Sequence, residues 1–151
     1  MKRAAQTVLL GFLDDLQDRP EVPVVANEDV REQLGVFLCD QRSPLSELTE
    51  EYERVDFSLM TDEADTLWQQ KKRETMLDMG NRSDRFLEWL YNRPEKEIVV
   101  GTHSAWLMCL TNVVLDVPPD HKELGTMFAT GEMRSMVLTW PDRLASKKVK
   151  M

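Results

Sequence analysis

Apolar positions recur along much of the chain at intervals of three and four residues, which is the spacing of one helix face. This spacing predicts helices over Arg3–Leu16, Ser46–Tyr52, Thr61–Tyr91 and Ser104–Leu115, and a capped helical turn at Asn27–Asp29. Gly80 and Asn81 are expected to interrupt the third helix, because both are poor helix formers.

Shorter runs that are rich in β-branched residues predict strands. The strands are expected at Glu21–Ala26 and Glu97–Thr102, with a hairpin formed by Met127–Thr130 and Met133–Trp140 around Gly131. The consecutive apolar residues Ile98–Val100 are typical of a strand buried on both faces. Because helices and strands alternate before the hairpin, the pattern predicts an α/β fold of three layers, with helices covering a mainly parallel sheet. Residues 1–151 are expected to form a single domain.

Composition and charge exclude several classes of protein. The 151 residues are 42% hydrophobic and 30% charged, and no apolar stretch approaches the roughly 20 residues of a membrane span. For lack of such a stretch, a membrane is not an expected partner, and because the net charge of −8 repels polyanions, nucleic acid is not an expected partner either. Cys39 and Cys109 lack metal-ligand spacing, which predicts reduced thiols in a cytoplasmic protein without a metal or a cofactor. The basic stretch Ser146–Lys150 is expected to be a solvated terminus.

His103 is the first candidate for chemistry, because it directly follows the apolar run EIVVGT and precedes a predicted helix. Ligands of open α/β sheets bind beyond the carboxyl ends of strands. Gly101 permits close backbone approach, and the backbone amides of Ser104 and its neighbours at the helix start favour an anion. The sequence therefore predicts a phosphate-binding corner at His103. The alternative is a histidine that is hydrogen-bonded to a loop carbonyl.

Several segments, taken in order, resemble one family. They are MKRAAQT at residues 1–7, VREQLGVFLCDQR at 30–42, FLEWLYNRPEKEIVVGTHSAWL at 86–107 and FATGEMRSMVL at 128–138. Together they are similar to the histidine phosphatase superfamily, which includes phosphoglycerate mutases and many phosphomonoester hydrolases. The resemblance implies a phosphoglycerate mutase-like fold, and a small phosphorylated molecule or inorganic phosphate as the ligand.

The resemblance also implies roles for individual residues. Members of this family attack a phosphomonoester with one histidine, while a second histidine and two arginines hold the phosphoryl oxygens. His103 corresponds to the second histidine, and Arg3, with Ser104, completes the implied phosphate-binding set. Glu32 corresponds to the carboxylate that transfers the leaving-group proton. Glu28 competes for that role, because the spacing from Glu32 to the following glycine is one residue shorter than in many members.

The attacking histidine of the family lies in an Arg-His-Gly motif on the first strand, and that motif is absent here. The other histidine, His121, lies in the polar loop PPDHKELG and is expected at the surface. The 151-residue chain is therefore predicted to be inactive as a phosphatase. Its sheet is expected to lack the first strand, which either exposes two unpaired strand edges or forces the neighbouring strands to close up. Three alternatives follow: a truncated form of a longer active phosphatase, a pseudoenzyme that binds a phosphorylated ligand or a protein, and a module whose open edge pairs with a partner or a second copy.

Overall fold

The computed structural model describes residues 1–140, so the basic stretch Ser146–Lys150 lies outside the described residues. Within the described range the α-helices are α1 Lys2–Gly11, α2 Leu13–Asp18, α3 Leu45–Glu51, α4 Met76–Tyr91 and α5 Ser104–Cys109. A π-helical turn over Leu110–Val114 continues α5, and 3₁₀ turns lie at Glu28–Val30, Leu38–Asp40 and Lys122–Gly125.

The prediction of a mainly parallel sheet in a three-layer α/β fold is wrong, because none of residues 1–140 lies in a β-strand. Val25 and Asp56 form an isolated parallel bridge. The bridge is made by the Ala26 amide, which donates to the Asp56 carbonyl at 2.9 Å, and by the Asp56 amide, which donates to the Val24 carbonyl at 2.7 Å. A strand needs a neighbour over several residues, and this pairing ends after one residue pair.

The other predicted strands are also absent. Ile98, Val99 and Val100 are 42%, 55% and 38% exposed, and no backbone hydrogen bond joins them to other described residues. This run therefore has the composition of a β-strand, but no described segment pairs with it through backbone hydrogen bonds. The predicted hairpin around Gly131 is a turn without strands, with Gly131 at φ 74°.

The long helix α4 begins later than predicted, at Met76 rather than at Thr61. The Thr75 hydroxyl accepts a hydrogen bond from the Asp78 amide at 3.1 Å, and the Asp78 carboxylate accepts one from the Thr75 amide at 3.1 Å. This reciprocal capping box fixes the helix start. The predicted interruption at Gly80 and Asn81 is wrong, since α4 runs unbroken to Tyr91.

Local capping explains the other helix boundaries. The turn predicted at Asn27–Asp29 is confirmed, because the Asn27 side chain accepts a hydrogen bond from the Asp29 amide at 2.8 Å. The helix predicted over Arg3–Leu16 is divided in two, since Phe12 leaves the helical region with φ −121° directly after Gly11. Glycine is a poor helix former, and its position here coincides with the break.

Two apolar clusters support the chain. The first contains the buried residues Leu48, Tyr52, Val55, Phe57 and Met60, and α1 packs on it through Ala5 and Leu9. The second joins α4 to α5 and contains Met79, Phe86, Trp106, Cys109 and Leu110. The first cluster positions the helix that carries Arg3, and the second positions the helix that follows His103.

Candidate functional site

The close contact between α1 and Gly101 builds the site. A Cβ atom at Gly101 would lie 2.3 Å from the Val8 Cγ2 atom and 3.4 Å from the Ala4 carbonyl oxygen. Only glycine therefore permits α1 to lie at this distance from the segment that leads into His103. The contact brings the first turn of α1, including Arg3, into the neighbourhood of the imidazole.

His103 is half-buried directly before α5, where its carbonyl accepts a hydrogen bond from the Leu107 amide at 3.0 Å. Within residues 1–140 its imidazole has no hydrogen-bond partner, so neither ring nitrogen is engaged by another described side chain or carbonyl. Burial lowers the pKa of His103 below its ordinary value of 6.5, and the positive charges of the Met1 amino group and of Arg3 lower it further. The negative charges of Glu32 and Asp40 act in the opposite direction. The free imidazole is therefore neutral at pH 7.

Arg3 is exposed on α1, and its guanidinium forms no ion pair with any carboxylate of the described residues. The approach of Ala4 and Val8 to Gly101 places the start of α1 near the segment that leads into His103, and the positive charge of Arg3 contributes to lowering the His103 pKa. Ser104 is exposed as the first residue of α5, next to His103 in the chain. An unpaired guanidinium beside an unpaired imidazole suits an oxyanion, because the guanidinium donates two parallel hydrogen bonds and always keeps its charge.

The two candidate carboxylates have different surroundings. Glu28 accepts hydrogen bonds from Arg31 Nη1 at 3.0 Å and from Arg42 Nε at 2.9 Å, so its carboxylate is held by two guanidinium groups. Glu32 is half-buried, accepts a hydrogen bond from the Gln33 amide at 2.8 Å, and acts electrostatically on His103. Of the two carboxylates, Glu32 is the one whose charge raises the pKa of His103, whereas Glu28 is engaged by Arg31 and Arg42.

A buried ion pair holds the loop that carries Glu32. Arg82 of α4 donates from Nε and Nη2 to the two oxygens of Glu74, at 2.7 and 2.9 Å, and both side chains are less than a tenth exposed. Arg82 also donates to the Glu32 carbonyl at 3.0 Å and to the Asp29 carbonyl at 2.7 Å. Glu74 accepts a hydrogen bond from the Leu34 amide at 3.0 Å. The pair therefore fixes the backbone on both sides of the Glu32 side chain.

Thr102 connects this loop to the histidine. Its hydroxyl donates to the carbonyl of Val30, and Thr102 directly precedes His103 in the chain. The backbone positions of Glu32 and His103 are thus coupled through one side-chain hydrogen bond. Arg82 was not identified from the sequence. Arg82 lies three residues after Met79 and four residues before Phe86, so it shares a helix face with two buried apolar residues. This spacing indicates a buried charge.

A second buried ion pair, between Arg31 and Asp65, joins the segment before Glu32 to the segment around residue 65. Arg31 donates to both oxygens of Asp65, at 3.0 and 2.5 Å, and to the Asp40 carbonyl at 3.0 Å. Burial by itself would raise the pKa of Asp65, but hydrogen bonds from Arg31 and from the Arg42 amide outweigh it and lower the pKa from 3.8 to about 2. The Trp68 amide donates to Asp65 as well, at 3.1 Å. Asp65 therefore remains ionised and binds two loops together.

A cleft of about 150 Å³ lies beside Arg3. It is lined by Met1, Lys2, Arg3, Cys39, Gln41, Arg42 and Ser43. Arg3 lines this cleft, whereas His103 does not.

The second histidine has a separate environment. His121 is exposed, as predicted, and its Nδ1 lies 3.1 Å from a carboxylate oxygen of Glu123. It is not among the groups whose charges act on His103. Across the described residues no three His, Cys, Asp or Glu side chains are arranged to hold a metal ion, and no helix has the length and apolar content needed to span a membrane.

Comparisons with known proteins agree on one family. The model of the histidine phosphatase superfamily, branch 1, matches residues 1–140. Phosphoglycerate mutase-like protein 1 of Arabidopsis thaliana is 41% identical over 126 residues, which cover 82% of this chain and 45% of that protein. A phosphoglycerate mutase-like protein of the same plant is 33% identical over 129 residues, which cover 80% of this chain and 48% of that protein.

Phosphoglycerate mutase-like protein 2 of Arabidopsis thaliana is 40% identical over 106 residues, covering 69% of this chain and 31% of that protein. The chain thus spans less than half the length of each of these three relatives. No solved structure matches the chain.

Proposed function

Because the chain belongs to the histidine phosphatase superfamily, we propose that Arg3 and His103 bind the phosphate group of a small phosphorylated molecule, or inorganic phosphate, with Glu32 beside them. The observation that supports this proposal is that, within the described residues, Arg3 has no ion pair and the half-buried His103 imidazole has no hydrogen-bond partner, while the positive charge of Arg3 contributes to lowering the pKa of His103. Neighbouring charged groups such as Glu28 and Arg31 are already engaged in ion pairs.

Phosphate binding compensates the charges that surround His103. A bound dianion offsets the positive charge of Arg3 and gives the imidazole an acceptor for its N–H, so the protonated form of His103 becomes favoured. In this proposal the backbone amide of Ser104 supplies a further donor at the same corner, and Glu32 exchanges a proton with a ligand oxygen. Binding is therefore expected to take up a proton on His103 when the solution pH lies above the pKa of the free imidazole.

Hydrolysis through a phosphohistidine needs an attacking imidazole in addition to the phosphate-binding one. The 151-residue chain has two histidines and no Arg-His-Gly motif, and His121 is engaged with Glu123 at the surface. We therefore propose that this chain binds phosphate without turnover, in the manner of a pseudophosphatase.

Isothermal titration calorimetry with inorganic phosphate at low ionic strength tests the proposal. Arg3→Gln and His103→Ala are each expected to weaken binding by about tenfold or more, since a hydrogen bond to a charged group contributes roughly 1.5–3 kcal/mol. Arg19→Gln is the matched control and should leave binding unchanged, because Arg19 is exposed and its one ion pair among residues 1–140 is with Asp15. Equal effects of Arg3→Gln and Arg19→Gln, or no phosphate binding, would overturn the proposal. Turnover of an aryl phosphate that His103→Ala abolishes would contradict the pseudophosphatase assignment.

The exposed apolar run Ile98–Val100 favours a second candidate function, an interaction module that pairs with a second copy through backbone hydrogen bonds. Sedimentation velocity over a range of protein concentrations tests it. Self-association that is lost in Val99→Lys and kept in Leu77→Lys would support the module, since Leu77 is 73% exposed on α4 and controls for the lysine substitution. A monomer at all concentrations would contradict it.

A further inference from the structure

The segment of residues 96–102, which leads into His103, has few bonds to its surroundings. Within the described part of the chain, no backbone amide or carbonyl of this segment takes part in a hydrogen bond. Of its side chains, that of Thr102 alone forms a hydrogen bond to another described residue. Gly101 packs against Val8 of α1, but this contact contains no hydrogen bond. Packing and the Thr102 hydroxyl are therefore what hold the chain directly before the imidazole.

The acceptor of the Thr102 bond lies in a loop that α4 fixes. The hydroxyl donates to the Val30 carbonyl, two residues before Glu32. Arg82 of α4 donates to the Asp29 carbonyl at 2.7 Å and to the Glu32 carbonyl at 3.0 Å. Because Arg82 is 3% exposed, its bonds hold the loop on α4 independently of Thr102. The Thr102 bond therefore sets where the imidazole lies relative to this loop.

The position of the imidazole relative to the loop determines how strongly Glu32 acts on it. Burial lowers the pKa of His103, and the charges of the Met1 amino group and of Arg3 lower it further. The charges of Glu32 and Asp40 raise it. Because a Coulomb interaction weakens with distance, a displacement of the imidazole away from the loop weakens the effect of Glu32.

We propose that Thr102 is a positioning residue of the phosphate-binding site: its hydroxyl holds His103 at a fixed separation from the loop that carries Glu32. The proposal rests on the proposed phosphate-binding function, in which the imidazole and the carboxylate meet one ligand. Thr102 acts through these two residues, because its own hydroxyl proton is donated to the Val30 carbonyl. Valine has nearly the shape of threonine without the hydroxyl, so Thr102→Val separates the hydrogen bond from the packing.

An NMR titration of the His103 ring in the ligand-free protein tests the proposal through a double-mutant cycle. Glu32→Gln should lower the His103 pKa, because it removes a negative charge. Thr102→Val should lower the pKa by at least about a third of that amount, because the imidazole is no longer held beside the loop. Thr102→Ser keeps the hydroxyl and should keep the wild-type pKa. In Glu32→Gln protein, Thr102→Val should have no further effect, since Thr102 acts through Glu32.

Thr126→Val is the matched control for the loss of a threonine hydroxyl. The Thr126 hydroxyl also donates to a carbonyl, that of Glu123 at 2.7 Å, and Thr126 is exposed. This variant should leave the His103 pKa unchanged. Thr102→Ala removes the same hydroxyl with a smaller side chain and provides the test if valine is not accommodated. Circular dichroism checks that each variant keeps its helix content.

The outcomes separate the positioning role from phosphate binding itself. A His103 pKa that Thr102→Val leaves unchanged, or lowers equally with and without the Glu32 carboxylate, would overturn the role of Thr102. The same conclusion would follow if Thr102→Ser behaved like Thr102→Val, because the hydroxyl would then not be the cause. Calorimetry of the wild type with inorganic phosphate is a separate measurement. Its failure would contradict the proposed function, whereas the cycle in ligand-free protein would still decide whether Thr102 positions His103.

Discussion

Asp65→Asn is the most informative single substitution for stability, because the Asp65 carboxylate lies at the centre of the buried network. Its side chain is 0% exposed, and it accepts hydrogen bonds from both terminal nitrogens of Arg31 and from the Arg42 amide. Asparagine keeps the shape and one carbonyl acceptor but removes the negative charge. The guanidinium of Arg31, which is 3% exposed, would then be buried without its main counter-charge.

The structure sets the size of the expected effect. The fall of the Asp65 pKa from 3.8 to about 2 corresponds to about 2 kcal/mol of stabilisation of the ionised form. Removal of one partner of a buried ion pair costs roughly 3–5 kcal/mol when the other charge is left uncompensated, but Arg31 keeps its ion pair with Glu28 at 3.0 Å. We therefore expect Asp65→Asn to lower the free energy of unfolding by about 2–3 kcal/mol at pH 7, between the value from the pKa and the cost of an uncompensated charge.

Urea denaturation, followed by tryptophan fluorescence and circular dichroism, measures this change. The control is Asp15→Asn, which breaks an exposed pair with Arg19 whose side chains are 59% and 60% exposed. An exposed pair contributes at most about 1 kcal/mol, so the control should change stability little. The contrast between the two variants separates burial of a charge from loss of an ion pair as such.

The pH dependence provides an independent check with a defined sign. Because the pKa of Asp65 is lower in the folded state than its ordinary value of 3.8, its stabilisation is complete above pH 3.8 and is lost as the pH falls towards about 2. The difference in stability between the wild type and Asp65→Asn should therefore shrink over that range. A difference below about 1 kcal/mol at pH 7, or one that is the same at both ends of the range, would refute the reasoning.

Three further substitutions test individual elements by urea or thermal denaturation. Gly35→Ala should lower the free energy of unfolding by more than about 2 kcal/mol, because the new Cβ would lie 1.9 Å from the Lys72 carbonyl oxygen and the residue has φ 87°. The control Gly131→Ala, at φ 74° with nothing within 4 Å of the new Cβ, should lower it by only about 1 kcal/mol. Equal losses in the two variants would contradict the steric explanation. Arg82→Lys keeps the charge but loses donors to two loop carbonyls and should cost about 1–3 kcal/mol, whereas wild-type stability would show that these bonds contribute nothing. Thr75→Ala removes half of the capping box and should cost about 1 kcal/mol, and an unchanged melting temperature would argue against the cap.

Local chemistry made part of the fold predictable. The Asn27 cap, the short helix α3 and the start of α5 directly after His103 depend on neighbouring residues, so the sequence contains their full cause. The late start of α4 also has a local cause in Thr75 and Asp78, but an apolar spacing that continues upstream obscured it. In the upstream segment, Asp65 accepts hydrogen bonds from the amides of residues 67 and 68, which competes with helix formation.

The absence of a sheet among the described residues could not be predicted from the sequence, because a strand forms only beside a neighbouring strand, and its own residues do not specify that neighbour. Ile98–Val100 has the composition of a buried strand and yet is exposed, since no described segment pairs with it. The same limit applies to the ion pairs. Arg31 and Asp65 are 34 positions apart, and no local pattern predicts their contact. The approach of α1 to Gly101 is likewise visible only once the chain is folded.

The central claim is that Arg3 and His103 jointly bind an oxyanion, and an NMR titration of the His103 ring tests it most directly. Sulfate is the probe, because phosphate monoesters change charge near pH 6 and would complicate the titration. Without sulfate, the pKa of His103 should lie below 6.5, and Arg3→Gln should raise it by removing a nearby positive charge. In sulfate, with ionic strength matched by chloride, the account predicts that the wild-type pKa rises, that the rise is largely absent in Arg3→Gln, and that the His121 ring signals do not respond. An unchanged His103 titration curve in sulfate, or an equal rise in Arg3→Gln, would contradict the claim.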